Sequence, residues 1–370
     1  MQTGAYSDKC SLIVEKGLRL GVGKVALIIS VHPTRRKRKH LFVKPKFGAV
    51  IVAMNLVLAS CSSSNSKSEN SEKSSNASIG SEVREDTLTI PEVKDVEQFA
   101  FQYNLHESLP EAWKSEFQSI MKNLGETLPI NPNIGEYVQN NVMNIYAWKS
   151  DIINPFPEKH FLGIGPSVTG NAPNNRWMLL EINEDQFANN SLRRYSVVVH
   201  EYFHVYQIAL SKDSMSPKWL VEGGAKVLED IYAQQYYGNN SLQDDLNNPD
   251  LWSDDVFTNP SLYEEFETSY IEIRPGKWMD MNYSGSSYLV LALVKELQKQ
   301  GISEQRAFEM VFRDFWIEIS TQQNWKLVFE QLFKINVNTF YETLKTQTRN
   351  DANDLLPSES LMIQEIFVST

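Results

Sequence analysis

The run Val197-Val198-Val199-His200-Glu201-Tyr202-Phe203-His204-Val205-Tyr206 constrains this chain more than any other segment. The apolar density around it predicts a helix over residues 192–211, buried in a core. Burying two histidines and a glutamate without partners is costly, so the fold must supply one. Histidines four apart on a helix project from one face, one turn above the other. Their imidazoles can meet a single zinc ion at about 2.0–2.1 Å each, and the ion offsets the cost of burial. Glu201 follows the first histidine and points beside such an ion. A carboxylate there can take a proton from ion-activated water and return it to a leaving group. The bland alternative is a helix with polar residues on one face, and five letters alone do not decide.

A zinc site of this kind needs a third protein ligand. A histidine ten positions after His200 would supply it in the metzincin arrangement, but position 210 is Leu. Outside the motif, the chain beyond residue 60 holds only His106 and His160, both upstream. Downstream, Trp219-Leu220-Val221-Glu222-Gly223-Gly224-Ala225 falls in a second helix expected over residues 217–237, with Pro217 at its start. Glu222 lies 18 positions after His204, enough for a turn of chain and a return helix. A charged residue in that apolar run needs a partner. A zinc ion is one; a solvated position on an amphipathic helix is the alternative.

Charge is divided along the chain. Residues 1–60 carry 11 of the 35 Lys+Arg and 2 of the 46 Asp+Glu, so the remainder is strongly acidic. An acidic body repels phosphate backbones, which argues against a nucleic-acid partner. The basic cluster Arg35-Arg36-Lys37-Arg38-Lys39 precedes an apolar run over residues 47–59, the order of an export signal. That run is shorter than the roughly 20 residues that cross a bilayer. Export signals run about 15–30 residues, so initiation downstream of Met1 is expected. Leu58-Ala59-Ser60-Cys61 resembles the bacterial lipoprotein box. The resemblance implies cleavage before Cys61, lipidation of Cys61, attachment to a membrane through that lipid, and a place in the cell envelope outside the cytoplasm. An uncleaved anchor would leave the body on the same side. Residues 61–85, rich in Ser, Asn, Lys and Glu, are expected to be a flexible tether. Cys10 is the only other cysteine, so the body has no internal disulfide.

Residues 86–370 are expected to form one α+β domain, with the zinc site over 195–230. A helix is expected over 110–124, with Trp113, Phe117, Ile120, Met121 and Leu124 at helical spacing. Strands are expected over 161–164 and 177–182, the second as a candidate edge strand for pairing with an extended peptide. Residues 238–282, rich in Asn, Asp and Pro, read as an irregular acidic insertion whose carboxylate spacing matches no calcium loop. Helical patterns follow over 288–300, 304–315, 325–333 and 337–344, with short linkers that favour antiparallel packing. The expected architecture is a small mixed sheet, an active-site helix, and a mainly helical C-terminal part over 286–346.

Residues 197–204 together with Trp219–Ala225 resemble the gluzincin metallopeptidases, the clan of thermolysin and the zinc aminopeptidases. Their pattern is His-Glu-x-x-His with a downstream Glu, often in Trp-Leu-x-Glu-Gly-x-Ala. Softer likeness in Tyr283-Ser284-Gly285-Ser286-Ser287-Tyr288-Leu289 and in the C-terminal helices extends the resemblance over about residues 175–346. It implies a zincin-like fold and a zinc-dependent peptidase, with His200, His204 and Glu222 as ligands and Glu201 as general base. By the same resemblance Tyr283 is the candidate to stabilise the oxyanion; packing at a helix start is its other reading. The chain departs from the pattern at Lys226, where thermolysin relatives place an Asp that orients the first histidine. Glu229, along the same face, is the expected substitute. The Gly-x-x-Glu-Asn type of aminopeptidase motif is not evident, so aminopeptidase activity is not implied. The substrate implied is a peptide or protein. A catalytically inactive binding lipoprotein on this scaffold, and a zinc amidase acting on cell-wall material, are the alternatives.

Overall fold

A computed structural model describes residues 99–156, 165–172, 174–264 and 280–367. The leader, Cys61, the tether and the strand expected over 161–164 lie outside the described residues.

Among the described residues four strands make one small mixed sheet in the order β1-β2-β4-β3. They are β1 (Ala100–Leu105), β2 (Val142–Lys149), β3 (Ser167–Ala172) and β4 (Asn175–Ile182). β1 and β2 run parallel, with Ala100 opposite Val142 and Leu105 opposite Ala147. β2 and β4 are also parallel, with Asn144 opposite Trp177. β3 returns antiparallel along β4, with an irregular register at Gly170/Ala172. The period of two divides the central strands cleanly. Met143, Ile145, Ala147, Met178, Leu180 and Ile182 enter the main core, whereas Tyr146, Trp148, Trp177 and Leu179 form a second cluster. The expected edge position of residues 177–182 is therefore wrong. β4 is an inner strand between β2 and β3, and among the described residues the two edges are β1 and β3.

The helices that cover the sheet follow their periodicity. α1 (Glu111–Thr127) buries Trp113, Phe117, Ile120, Met121 and Leu124, the set expected from sequence. The short α2 (Glu184–Ala188) follows β4. α3 (Arg193–Ser211) is buried almost throughout from Val198, and its valines are weak helix formers held there by packing. The Trp113 indole N–H donates to the Arg194 carbonyl at 2.8 Å, and the Tyr202 hydroxyl donates to the Leu128 carbonyl at 2.8 Å. These two bonds tie α3 to both ends of α1. α3 stops at Lys212, whose left-handed backbone (φ 51°) is continued by Asp213 (φ 64°). α4 (Lys218–Tyr237) then begins directly after Pro217 and ends on Gly238.

The segment after α4 is more regular than its composition predicts. It carries α5 (Ser241–Asn247), α6 (Asp255–Thr258) and a 3-10 turn at Pro260–Tyr263. Its carboxylates are used within the fold: Asp245 pairs with Lys226 at 3.3 Å and Asp254 with Arg349 at 2.8 Å. A π-turn at Asp280–Ser284 leads into α7 (Gly285–Lys299). α8 (Glu304–Glu309) and α9 (Phe315–Ile319) are joined by a second π-turn at Met310–Asp314, and α10 (Trp325–Phe333) and α11 (Val337–Leu344) follow. Among the described residues no strand follows β4, so the domain is α+β, with α1 between β1 and β2 and the other helices after the sheet. No described helix is long and apolar enough to cross a membrane.

α4 and α7 cross very closely at Gly223. A Cβ there would lie 2.2 Å from the Ser286 carbonyl oxygen, so only glycine permits the contact. This crossing brings the start of α7, with Tyr283 just before it, against the turn of α4 that carries Glu222.

Candidate metal centre

α3 presents His200 and His204 one turn apart, with ring centroids 4.8 Å apart and planes at 82°. Both side chains are buried. The first turns of α4 bring Glu222 against them. Its Oε2 lies 3.4 Å from His200 Nε2 and 3.6 Å from His204 Nε2. A ligand atom from each of the three lies within 4.8 Å of the other two, and among the described residues no other trio of His, Cys, Asp or Glu does this.

The outer nitrogens fix which atoms face inward. His204 Nδ1 is 2.8 Å from Gln207 Oε1, while the Gln207 amide N–H donates to the Val221 carbonyl at 3.1 Å. The amide oxygen is thus the group facing His204, so Nδ1 carries the proton and Nε2 keeps its lone pair. His200 Nδ1 is 3.2 Å from Glu229 Oε2, which implies the same tautomer. Glu229 is held in turn by the Ser196 hydroxyl, which donates to Oε1 at 2.7 Å, and by Lys226 at 3.7 Å. Two lone pairs and a carboxylate oxygen therefore converge on one point. Three acceptors facing one another in a buried space repel unless a cation or a proton lies among them.

The electrostatics point the same way. In the metal-free protein a proton takes that point: burial alone would lower the pKa of His200, but Glu222 and Glu229 hydrogen-bonded to it hold it up at about 10. Burial would raise Glu222, yet Lys218 and the two histidines hold it well below the usual carboxylate range. Glu201 is pushed the other way, up by burial and only partly restrained by His204 and His200. Its Oε2 is buried with no hydrogen-bond partner among the described residues. Two imidazoles, an ionised carboxylate and an unpartnered buried carboxyl oxygen fit a divalent ion such as zinc with a water-handling base beside it.

Tyr283 is brought to the same place. Its ring centroid is 5.7 Å from that of His200, and the Arg193 guanidinium lies over the tyrosine ring, 4.8 Å from its centroid. Burial pushes its phenol up to about 12, against the pull of Arg193. The structure thus gathers every residue singled out in the sequence for this site: His200, Glu201, His204, Glu222 and Tyr283. It also bears out Glu229 as the partner of His200, with Lys226 bonded to Asp230 at 2.8 Å instead of facing the histidine.

Sequence reasoning missed Gln207, Ser196, Arg193 and Lys218. Gln207 and Ser196 carried a signal, since an amide three after His204 and a hydroxyl four before His200 share the ligand face of α3. Lys218 stands four before Glu222, a spacing that also had meaning in hindsight. Comparison with protein-family models, characterised proteins and solved structures finds no match to this chain.

Proposed function

We propose that the chain is a zinc-dependent hydrolase of the gluzincin kind that cuts peptide bonds. The observation that carries this reading is the convergence of His200 Nε2, His204 Nε2 and Glu222 Oε2, each fixed from behind by an outer partner. A bound divalent ion would polarise the scissile carbonyl and make coordinated water acidic enough to attack it near neutral pH. His200, His204 and Glu222 hold the ion. Glu201 serves as general base, and its raised pKa suits a group that accepts a proton and later gives it to the leaving amine. Tyr283, still protonated at neutral pH, offers its hydroxyl to the developing oxyanion, and Arg193 packed on its ring fixes the ring's orientation. β3, an edge strand among the described residues, is our candidate to pair with an extended substrate.

We also propose that the chain is exported and lipidated at Cys61, on the strength of Leu58-Ala59-Ser60-Cys61 and the basic and apolar segments before it. The peptide or protein it cuts would then be met in the envelope. The direct test is Glu201→Gln. The variant should retain zinc and the fold while hydrolysis of a mixed peptide library falls by about 100- to 10,000-fold. A variant as active as the native protein would overturn the assignment. Native protein that holds zinc but cuts no peptide would favour a binding role, and activity on isolated peptidoglycan alone would favour an amidase.

A further inference from the structure

The three candidate ligands share a feature that involves a residue outside the trio. Each has one donor atom aimed inward and its other polar atom held from behind. For His200 and His204 the holding group is an acceptor, Glu229 or Gln207. For Glu222 it is a cation: Lys218 Nζ lies 2.5 Å from Oε1, the oxygen that does not face the histidines.

Helix energetics do not account for this pair. Lys218 opens α4, where the helix dipole disfavours positive charge. Lysine four residues before glutamate is also the weaker of the two orientations on a helix surface. Nor is the pair a surface feature, because its side chains are only 15% and 13% exposed. The ammonium is brought there by the fold: Pro217 precedes it, and the Lys218 backbone N–H donates to the Glu264 carbonyl at 3.0 Å.

We propose that Lys218 is a positioning residue which confines Glu222 to metal ligation through Oε2 alone. This rests on the metal-hydrolase reading above. A carboxylate can take a divalent ion on one oxygen or on both. With an ammonium on Oε1, ligation through both oxygens would press a divalent ion against a buried positive charge. Two imidazoles and one oxygen make three protein donors, the set that leaves an open position for water and substrate in catalytic zinc sites. The same ammonium draws charge from the carboxylate, so less of the ion's charge is neutralised by its ligands. Lys218 touches neither substrate nor ion in this scheme and acts only through Glu222.

The test uses the full chain stripped of metal and loaded with Co2+, whose visible absorption is strong in four-coordinate and weak in five-coordinate sites. The native protein should show the strong spectrum. Lys218→Met should still bind Co2+ but lose at least half of that absorption, as Glu222 relaxes onto both oxygens. Lys218→Arg, which restores a cation on Oε1, should recover it. Lys218→Gln, neutral but polar, serves in place of the Met variant if the latter does not fold, with the same loss expected. An unchanged spectrum in a folded neutral variant would overturn the proposal, as would a folded variant that no longer binds Co2+. A native protein that binds no Co2+ would instead overturn the metal reading itself.

Discussion

Gln207 shows how the site is specified by residues outside the trio of candidate ligands. Its oxygen faces His204 Nδ1 and its nitrogen is committed to Val221, so one buried amide joins α3 to α4 and sets a tautomer. Replacing it by Leu keeps the volume and removes that acceptor. Zinc affinity, measured by chelator competition, should fall about 10- to 100-fold with the fold retained, and an unchanged affinity would mean that His204 is oriented by packing alone. His200 gives a prediction in pH. Its folded value of about 10 lies above about 6.5 for the unfolded chain. In metal-free protein this protonation contributes stability that is full below about pH 6.5 and is lost as pH rises through about 10. Stripped protein should therefore lose more thermal stability between about pH 7 and 10 than stripped His200→Ala, and saturating zinc should abolish the difference. Equal slopes in the two proteins would contradict the charge assigned to His200. At this scale the inward-facing residues were legible because their type and spacing carry the chemistry. Lys218 was not, because lysine is ordinary on any helix and acquires meaning only when α3 and α4 set its direction.

At the scale of elements, the crossing of α4 over α7 decides whether Tyr283 meets the turn of α4 that carries Glu222. Gly223→Ala forces a methyl to within 2.2 Å of the Ser286 carbonyl, and overpacking of this kind costs about 1–3 kcal/mol. It should lower the melting temperature and weaken metal binding together. Gly125 is the control: it lies inside α1 with nothing within 4 Å of its added Cβ. Gly125→Ala should stabilise by about 0.5–1 kcal/mol and leave metal binding unchanged, as denaturant unfolding and metal titration would show. If Gly223→Ala behaved like Gly125→Ala, the close crossing would not matter. The helices were legible from their 3.6-residue period and, for α4, from Pro217 at its start. The sheet was read less well for physical reasons. β2 is largely buried, with apolar side chains on both faces, and shows no simple alternation; β3 is Ser-Val-Thr-Gly-Asn-Ala, weak in propensity, and owes its conformation to pairing with β4. The edge position was misassigned because an apolar run says that a strand is buried and not which neighbours it has.

Over the whole molecule, the leader and the domain carry independent signals. The basic leader, Leu58-Ala59-Ser60-Cys61 and the polar tether argue for export and lipidation from composition alone, so Cys61→Ser should abolish incorporation of labelled fatty acid in cells and release the protein from membranes. Equal labelling of native and variant protein would refute that half without touching the other. The domain's claim is chemical: α3 and α4 are packed so that two imidazoles and one carboxylate surround a point that could hold a metal ion. The most direct measurement is the metal content of the purified native protein beside that of His204→Ala, by elemental analysis after dialysis. About one zinc per chain in the native protein, and almost none in a folded His204→Ala, is the result predicted. A native protein that takes up no divalent ion when offered zinc, or a variant that keeps its zinc, would contradict it.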